Sequence, residues 1–226
     1  MFTKSGRLDL KKFEPQSEYP ELIEVPLNLF KVINMNSKSL MQIALGDQWQ
    51  QLPPALQAHY QSNDNSDIGQ MDIEYPLYMQ PYLTLLRLFG VLINRRGKNI
   101  PTTVEKYMKG DIQYWKRSLR FSQDKIILFN SFWVHDGNNE LIEYVNPFLG
   151  LRMRVHIENE ELHYEGRNFV VKLGTFLLPI PEWLVLGHTT IVETAITDSE
   201  FKMDFKLKHP ILGTLFRYTG EFKNIS

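Results

Sequence analysis

Arg117 and Glu193 are the two charged residues that fit least well on a plain surface strand. From Tyr114 to Phe121, Trp115, Arg117, Leu119 and Phe121 fall on one face by period-two alternation, and Tyr114, Lys116, Ser118 and Arg120 fall on the other. Glu193 alternates with Ile191 and Ala195, with Thr190, Val192 and Thr194 pointing the other way. An isolated charge among apolar neighbours is costly, so two inward charges of opposite sign are expected to find one another or a ligand. The planar guanidinium fork of Arg117 suits a carboxylate or phosphate head group, and an apolar interior suits a tail. The alternatives are an internal Arg117–Glu193 pair that fixes strand register, or two ordinary charges on a wet face.

The histidines come next. His59, His135, His156, His163, His188 and His209 lack the i, i+4 spacing of a helical zinc site, so no metal is expected. His59 falls on the packing side of a short helix, either as a core histidine with one hydrogen bond or as a polar contact or general base in a pocket. His156 and His163 flank a turn and would meet across a hairpin, on a solvent-facing side. No serine lies in a Gly-x-Ser-x-Gly elbow, and zero cysteines remove thiolate nucleophiles, disulfides and Cys-based zinc. The carboxylates Asp72 with Glu74, and Glu158 with Glu160 and Glu161, read as a solvated strand face and a turn. No catalytic residue is assigned, no cofactor is expected, and a non-catalytic role is favoured.

The elements that must position these residues follow from pattern and charge. The 226 residues suffice for one sizeable core, and 25 basic against 26 acidic residues, a formal net charge of −1, give no field to gather a phosphate backbone. Nucleic acid is therefore not an expected partner. Lys4, Arg7, Lys11 and Lys12 precede no apolar run of about seven, so no secretory signal is expected and the expected location is cytoplasmic. Residues 1–36, with Pro15, Pro20 and Pro26, read as an N-terminal arm, and 37–226 as a single domain.

Leu40, Met41, Ala44 and Leu45 recur at helical spacing after Ser37 or Ser39, Gly46 ends that turn, and a second short helix starts at Pro53-Pro54. Leu77 to Ile93 is apolar at most positions and closes on Asn94-Arg95-Arg96-Gly97, which predicts a helix that needs cover. Burial by the sheet is the main expectation for it, and interfacial membrane contact the second. After Pro101 the period is two. Leu151, Met153, Val155 and Ile157 alternate with polar residues, as do Phe201, Met203, Phe205 and Leu207, while Ile126–Val134 reads as a strand covered on both faces. Asp136-Gly137-Asn138-Asn139 and Glu158-Asn159-Glu160 are hairpin turns. The fold class expected is α+β: a mainly antiparallel up-and-down meander, strongly curved or closed into a barrel, wrapped around the one apolar helix, with short N-terminal helices. Thr175 to Leu186, apolar but broken by Pro179 and Pro181, reads as a loop over a cavity mouth, a partner, a membrane or its own core.

Several strings resemble a known family in their order along the chain: Leu52-Pro53-Pro54-Ala55-Leu56-Gln57-Ala58-His59 followed by Gly69, then Trp115-Lys116-Arg117, Leu178-Pro179-Ile180-Pro181-Glu182-Trp183-Leu184, Glu193, and Pro210-Ile211-Leu212-Gly213-Thr214-Leu215-Phe216-Arg217-Tyr218-Thr219-Gly220. Over about 38–223 they resemble the bacterial family known as domain of unknown function 4166. The resemblance brings no activity with it. It implies a context, since related domains are attached to NAD-binding saccharopine-dehydrogenase-like or epimerase-like domains. This chain has no Gly-x-Gly-x-x-Gly after a strand, so it lacks that half. The leading expectation is a binding module for a lipid-like or other amphipathic small molecule, with Arg117 as its polar anchor and Trp115, Glu193, His59, Tyr218 and Trp183 as the other ligand-binding residues. The alternative is an accessory domain docking onto an oxidoreductase partner.

Overall fold

Ser39 starts the first helix by a reciprocal cap. Its hydroxyl accepts from the Gln42 N–H at 3.2 Å while the Gln42 side chain accepts from the Ser39 N–H at 2.7 Å, a capping box at the head of α1 (Leu40–Leu45). The structure, a computed structural model, describes residues 38–61 and 64–225; the arm expected over 1–36 lies outside them. Gly46 ends α1 at φ 53°, a 3₁₀ turn covers Gly46–Gln51, and α2 (Pro54–Gln61) begins on a proline whose missing N–H costs a helix start nothing. Ser39→Ala removes one side of the box and is expected to cost about 1 kcal/mol. The check is a lower urea midpoint at unchanged slope.

Among the described residues eleven strands follow: β1 (Asn65–Glu74), β2 (Gly97–Lys109), β3 (Ile112–Ser122), β4 (Lys125–His135), β5 (Glu140–Tyr144), β6 (Leu149–Glu158), β7 (Glu161–Leu173), β8 (Phe176–Ile180), β9 (His188–Ala195), β10 (Glu200–His209) and β11 (Gly213–Asn224). One helix, α3 (Gln80–Leu88), interrupts them between β1 and β2. Every pairing is antiparallel. β1 through β6 are neighbours in chain order, β1 also pairs β11, and β11, β10 and β9 lead to β7. β7 then pairs β6, which closes a ten-stranded barrel and leaves no free edge in the ring. β8 shares an edge of β7 with β9, β9 taking Leu162–Glu165 and β8 taking Phe169–Leu173.

The expected hairpin turns are present. Asn159 and Glu160 have φ 52° and 64°, the left-handed pair that a two-residue turn between twisted strands requires, and Gly137 and Asn138, at φ 91° and 47°, reverse the chain in the longer turn between β4 and β5. Turns fall on two rims. The upper rim carries the turns β3–β4, β5–β6, β7–β8 and β10–β11 together with the α3 segment, and the lower rim carries α1, α2 and the remaining turns. At the lower rim α2 packs on β9, β10 and β11, and α1 on β4 and β6, burying Leu40, Met41, Ala55, Leu56 and Tyr60.

The expectation of a sheet wrapped around the apolar helix needs correction. Only α3's Leu83 and the preceding Met79 are buried, whereas Leu85, Leu88 and Phe89 are 52%, 78% and 57% exposed. One 3.6-residue stripe of α3 faces the barrel, and Gly90 at φ 75° ends it, so Val91, Leu92 and Ile93 enter the core as non-helical chain. α3 is pinned on the upper rim: the Tyr82 hydroxyl donates to the Val185 carbonyl at 3.0 Å and Arg87 to the Leu128 carbonyl at 2.7 Å. Two smaller readings also change. β4 is covered on both faces only in its second half, because Ile126 and Leu128 are about half exposed, and Phe176–Ile180 of the expected loop is strand β8, leaving only a 3₁₀ turn at Glu182–Leu184. Among the described residues no helix is long and apolar enough to cross a membrane.

Candidate functional site

Alternation along β1 and β2 sends Asp67 and Lys106 inward, where they meet diagonally across the paired strands. Lys106 Nζ lies 3.0 Å from Asp67 Oδ2, and His59 Nδ1, arriving from α2, lies 2.9 Å from the same oxygen. One Nδ1 cannot both donate and accept. With Nδ1–H turned to Asp67, Lys106 is satisfied by the carboxylate and by the His59 carbonyl at 2.6 Å, and its ammonium sits 5.0 Å from the centre of the Trp115 ring. Burial pulls His59 down to about 4, with Asp67 opposing, and pulls Lys106 down to about 8 against the same carboxylate. Burial would raise Asp67, but His59 and Lys106 together hold it at about 2. At neutral pH the trio is therefore an ion pair beside a neutral imidazole.

A second cluster adjoins it. Tyr60, also from α2, places its hydroxyl 2.8 and 2.9 Å from the two Glu193 oxygens and 2.5 Å from the Tyr164 hydroxyl. Each phenol has one hydrogen, so with Tyr60 donating to the carboxylate, Tyr164 donates to Tyr60. Burial pushes Glu193 up to about 7, the Tyr60 hydrogen bond opposing, and holds both phenols well above their ordinary range. Glu193 is thus a buried carboxyl that takes up a proton close to neutrality, at the end of the hydrogen-bonded chain Tyr164–Tyr60–Glu193.

Arg117 points inward, as alternation implied, and its partner is Glu143. Nη2 donates to Glu143 Oε1 at 3.1 Å and Nη1 to Ser131 Oγ at 2.8 Å, while Ser131 donates to the same Glu143 oxygen at 2.6 Å. The guanidinium also lies over Trp115 and Phe129, 4.9 and 5.4 Å from their ring centres. The Arg117–Glu193 pair weighed above is not formed.

These groups surround a cavity of about 100 Å³. His59, Tyr60, Asp67 and Glu193 form its base, Trp115, Arg117, Trp133 and Tyr218 its waist, and apolar residues such as Leu92, Ile93, Leu149 and Leu186 its upper wall. Trp115 and Trp133 stack at 4.7 Å, yet both indole N–H groups, and the Thr189 hydroxyl on the same cavity, are buried without a hydrogen-bond partner. Of the six residues singled out from the sequence, Arg117, Trp115, Glu193, His59 and Tyr218 line the cavity. Trp183 does not; it stands on the upper rim, 58% exposed. Beside it Glu182 is buried, accepting from the Thr189 N–H at 3.0 Å and paired with His188 Nδ1 at 2.8 Å, in space that only a glycine at 166 leaves open.

Asp67, Lys106, Tyr60, Tyr164 and Glu143 went unnoticed in the sequence. Alternation carried a signal for the first two, since Met71 and Ile73 share a face with Asp67, and Ile100 and Val104 share one with Lys106. His156 and His163 do meet, with rings stacked at 5.3 Å, and with Glu158 they form the one group among the described residues whose ligand atoms, within 4.8 Å of one another, have metal-holding spacing.

Fold and site together define a closed antiparallel β-barrel with a paired-charge base beneath a small, mostly apolar cavity. The chain belongs to the family described as Domain of unknown function (DUF4166), which it matches over residues 52–222. It is also 27% identical over 189 residues to the uncharacterized protein YndH of Bacillus subtilis (strain 168), covering 76% of this chain and 90% of that protein.

Proposed function

We propose that the barrel is a binding module for a small amphipathic molecule, held with its polar group at the waist and base and its apolar part toward the upper rim. The observation that carries this reading is the set of unpartnered donors on Trp115, Trp133 and Thr189 around one cavity. A buried donor left unmade costs about 1–3 kcal/mol, and an acceptor oxygen on a guest recovers it. The head group favoured is neutral and oxygen-bearing, such as a hydroxyl or carbonyl, because Glu143 and Ser131 already occupy the Arg117 fork and two carboxylates stand near it. Arg117 then acts through Trp115, holding the indole in place by the guanidinium that lies 4.9 Å from its ring centre.

Size limits the guest. Pockets for drug-sized ligands run to ~300–1,000 Å³, and a dry cavity of ~150 Å³ takes a benzene-sized molecule, so about 100 Å³ suits one short or slender group unless the rim opens. Docking onto a separate NAD-dependent oxidoreductase would not require the unpartnered interior donors, which is why the ligand reading is preferred.

Native mass spectrometry of the purified chain, set against its denatured mass and followed by organic extraction, tests the proposal. The expected result is a discrete bound amphipath whose affinity, measured by titrating it back onto the stripped protein, falls about fivefold in Trp133→Phe, the equivalent of one hydrogen bond of ~1 kcal/mol. A bare mass, with no thermal shift from alcohols, monoacylglycerols or fatty acids, would overturn it.

A further inference from the structure

The exposed apolar surface is concentrated at one end of the molecule. Apart from Ile68, Ile196 and Ile225, every exposed large apolar residue among those described lies on the upper rim or the strand segments reaching it. Five separate segments contribute: Leu88 on α3 is 78% exposed, Phe148 in the β5–β6 turn 58%, Phe176 at the β7–β8 turn 60%, Trp183 after β8 58%, and Ile211 in the β10–β11 turn 86%. Apolar tips contributed independently by five segments make a patch, which a monomeric soluble surface seldom carries without a use.

Charge is sorted the same way. Exposed Arg95, Arg96, Lys98, Lys125 and Lys208 surround the apolar tips, against exposed Glu74 and Asp124. The lower end carries exposed Asp47, Asp136, Glu158, Glu160 and Asp198 against exposed Lys38, Lys109, Lys202 and Lys223, and so lacks the cationic excess of the upper rim. A net charge of −1 thus hides a molecule that is cationic at its apolar end.

We propose that the upper rim docks onto an anionic lipid bilayer, with Leu88, Phe148, Phe176, Trp183 and Ile211 entering the headgroup boundary and the lysines and arginines meeting lipid phosphates. Apolar tips inside a belt of cations match the two layers of such a surface, an acyl boundary under an anionic plane. A protein partner would need a concave apolar face ringed with acid to make the same match. The rim is also continuous with the cavity, because Val91, Leu92 and Ile93, which follow α3, and Leu186, which follows Trp183, line its upper wall. Docking stands without a ligand; with one, the rim becomes the route by which an amphipath passes between bilayer and barrel.

Vesicle sedimentation with the full chain tests this, comparing phosphatidylcholine vesicles with vesicles that also contain phosphatidylglycerol. Binding at least tenfold tighter to the anionic vesicles is expected, weakening as salt is raised. Two variants separate the contributions: Leu88→Ser/Ile211→Ser is expected to abolish binding, and Lys98→Ser/Lys125→Ser/Lys208→Ser to remove the anionic preference. All five residues are exposed, so circular dichroism should show an unchanged fold. On binding, tryptophan emission should shift to the blue, and Trp183→Phe should remove the shift, since Trp49, Trp115 and Trp133 are already buried. No binding to anionic vesicles at low salt, or binding indifferent to both variants, overturns the proposal. Self-association of the chain that Leu88→Ser/Ile211→Ser abolishes, without vesicle binding, would assign the rim to a second copy and overturn it equally. Neither result bears on the bound mass that tests the ligand reading.

Discussion

Asp67→Asn is expected to destabilise the barrel by about 3–5 kcal/mol, the cost of stranding one member of a buried ion pair. The side chains of Asp67 and Lys106 are both 0% exposed and no solvent reaches them to compensate. With the charge gone, the Lys106 ammonium has only neutral acceptors, the His59 carbonyl and an amide oxygen that it must share with His59 Nδ1–H. Lys106→Met strands Asp67 in the same way and is expected to cost a similar amount. The double variant Asp67→Asn/Lys106→Met leaves no unpaired charge, so its cost should fall short of the sum of the singles by about 0.5–3 kcal/mol. Urea denaturation of the four proteins at pH 7 measures this. Strict additivity would mean that the two residues do not act as a pair, despite their 3.0 Å separation.

The same pair shows where sequence reasoning stops. Inward-facing Arg117 and Glu193 stood out because each interrupts an apolar row. Lys106 did not, because its row also holds Thr102, and a row of Ile100, Thr102, Val104 and Lys106 reads as easily as a half-wet face. Partners were harder still. Glu143 reaches Arg117 from β5 across β4, which takes the registers of two successive hairpins, and Tyr60 reaches Glu193 from a helix 133 residues earlier, which takes the long-range pairing of β1 with β11; no local pattern encodes either. The alternation of β6 and β10, the turn residues and the Ser39 cap were legible because each is a short-range effect of backbone geometry. Apolar composition in α3 misled for a related reason. It says that a surface prefers cover, and it is silent on whether the cover is the protein's own sheet.

The charges at the base also set an opposed pair of pH dependences. Burial holds Glu193 at about 7 against an ordinary 4.5. Between those values the folded protein keeps a proton that the unfolded chain has released. This contribution to stability is complete below pH 4.5 and falls by about 1.4 kcal/mol per pH unit until it is gone near pH 7. His59 does the reverse. Burial holds it at about 4 against an ordinary 6.5, so between those values the unfolded chain binds a proton that the folded protein lacks, and stability rises with pH across that window. The windows overlap from pH 4.5 to 6.5, and there the two slopes cancel. Glu193→Gln, which keeps an acceptor for Tyr60, removes only the falling slope. Relative to the parent protein it should gain about 3 kcal/mol as pH rises from 4.5 to 7. His59→Gln removes the rising slope, along with the imidazole's pull on Asp67, and should lose a similar amount, relative to the parent, as pH rises from 4 to 6.5. Urea midpoints taken at half-unit steps across this range give both differences, and carboxylates elsewhere cancel because the three proteins share them. Curves for both variants running parallel to the parent would show that Glu193 and His59 titrate alike in the folded and unfolded chains, and that the base of the barrel is open to water.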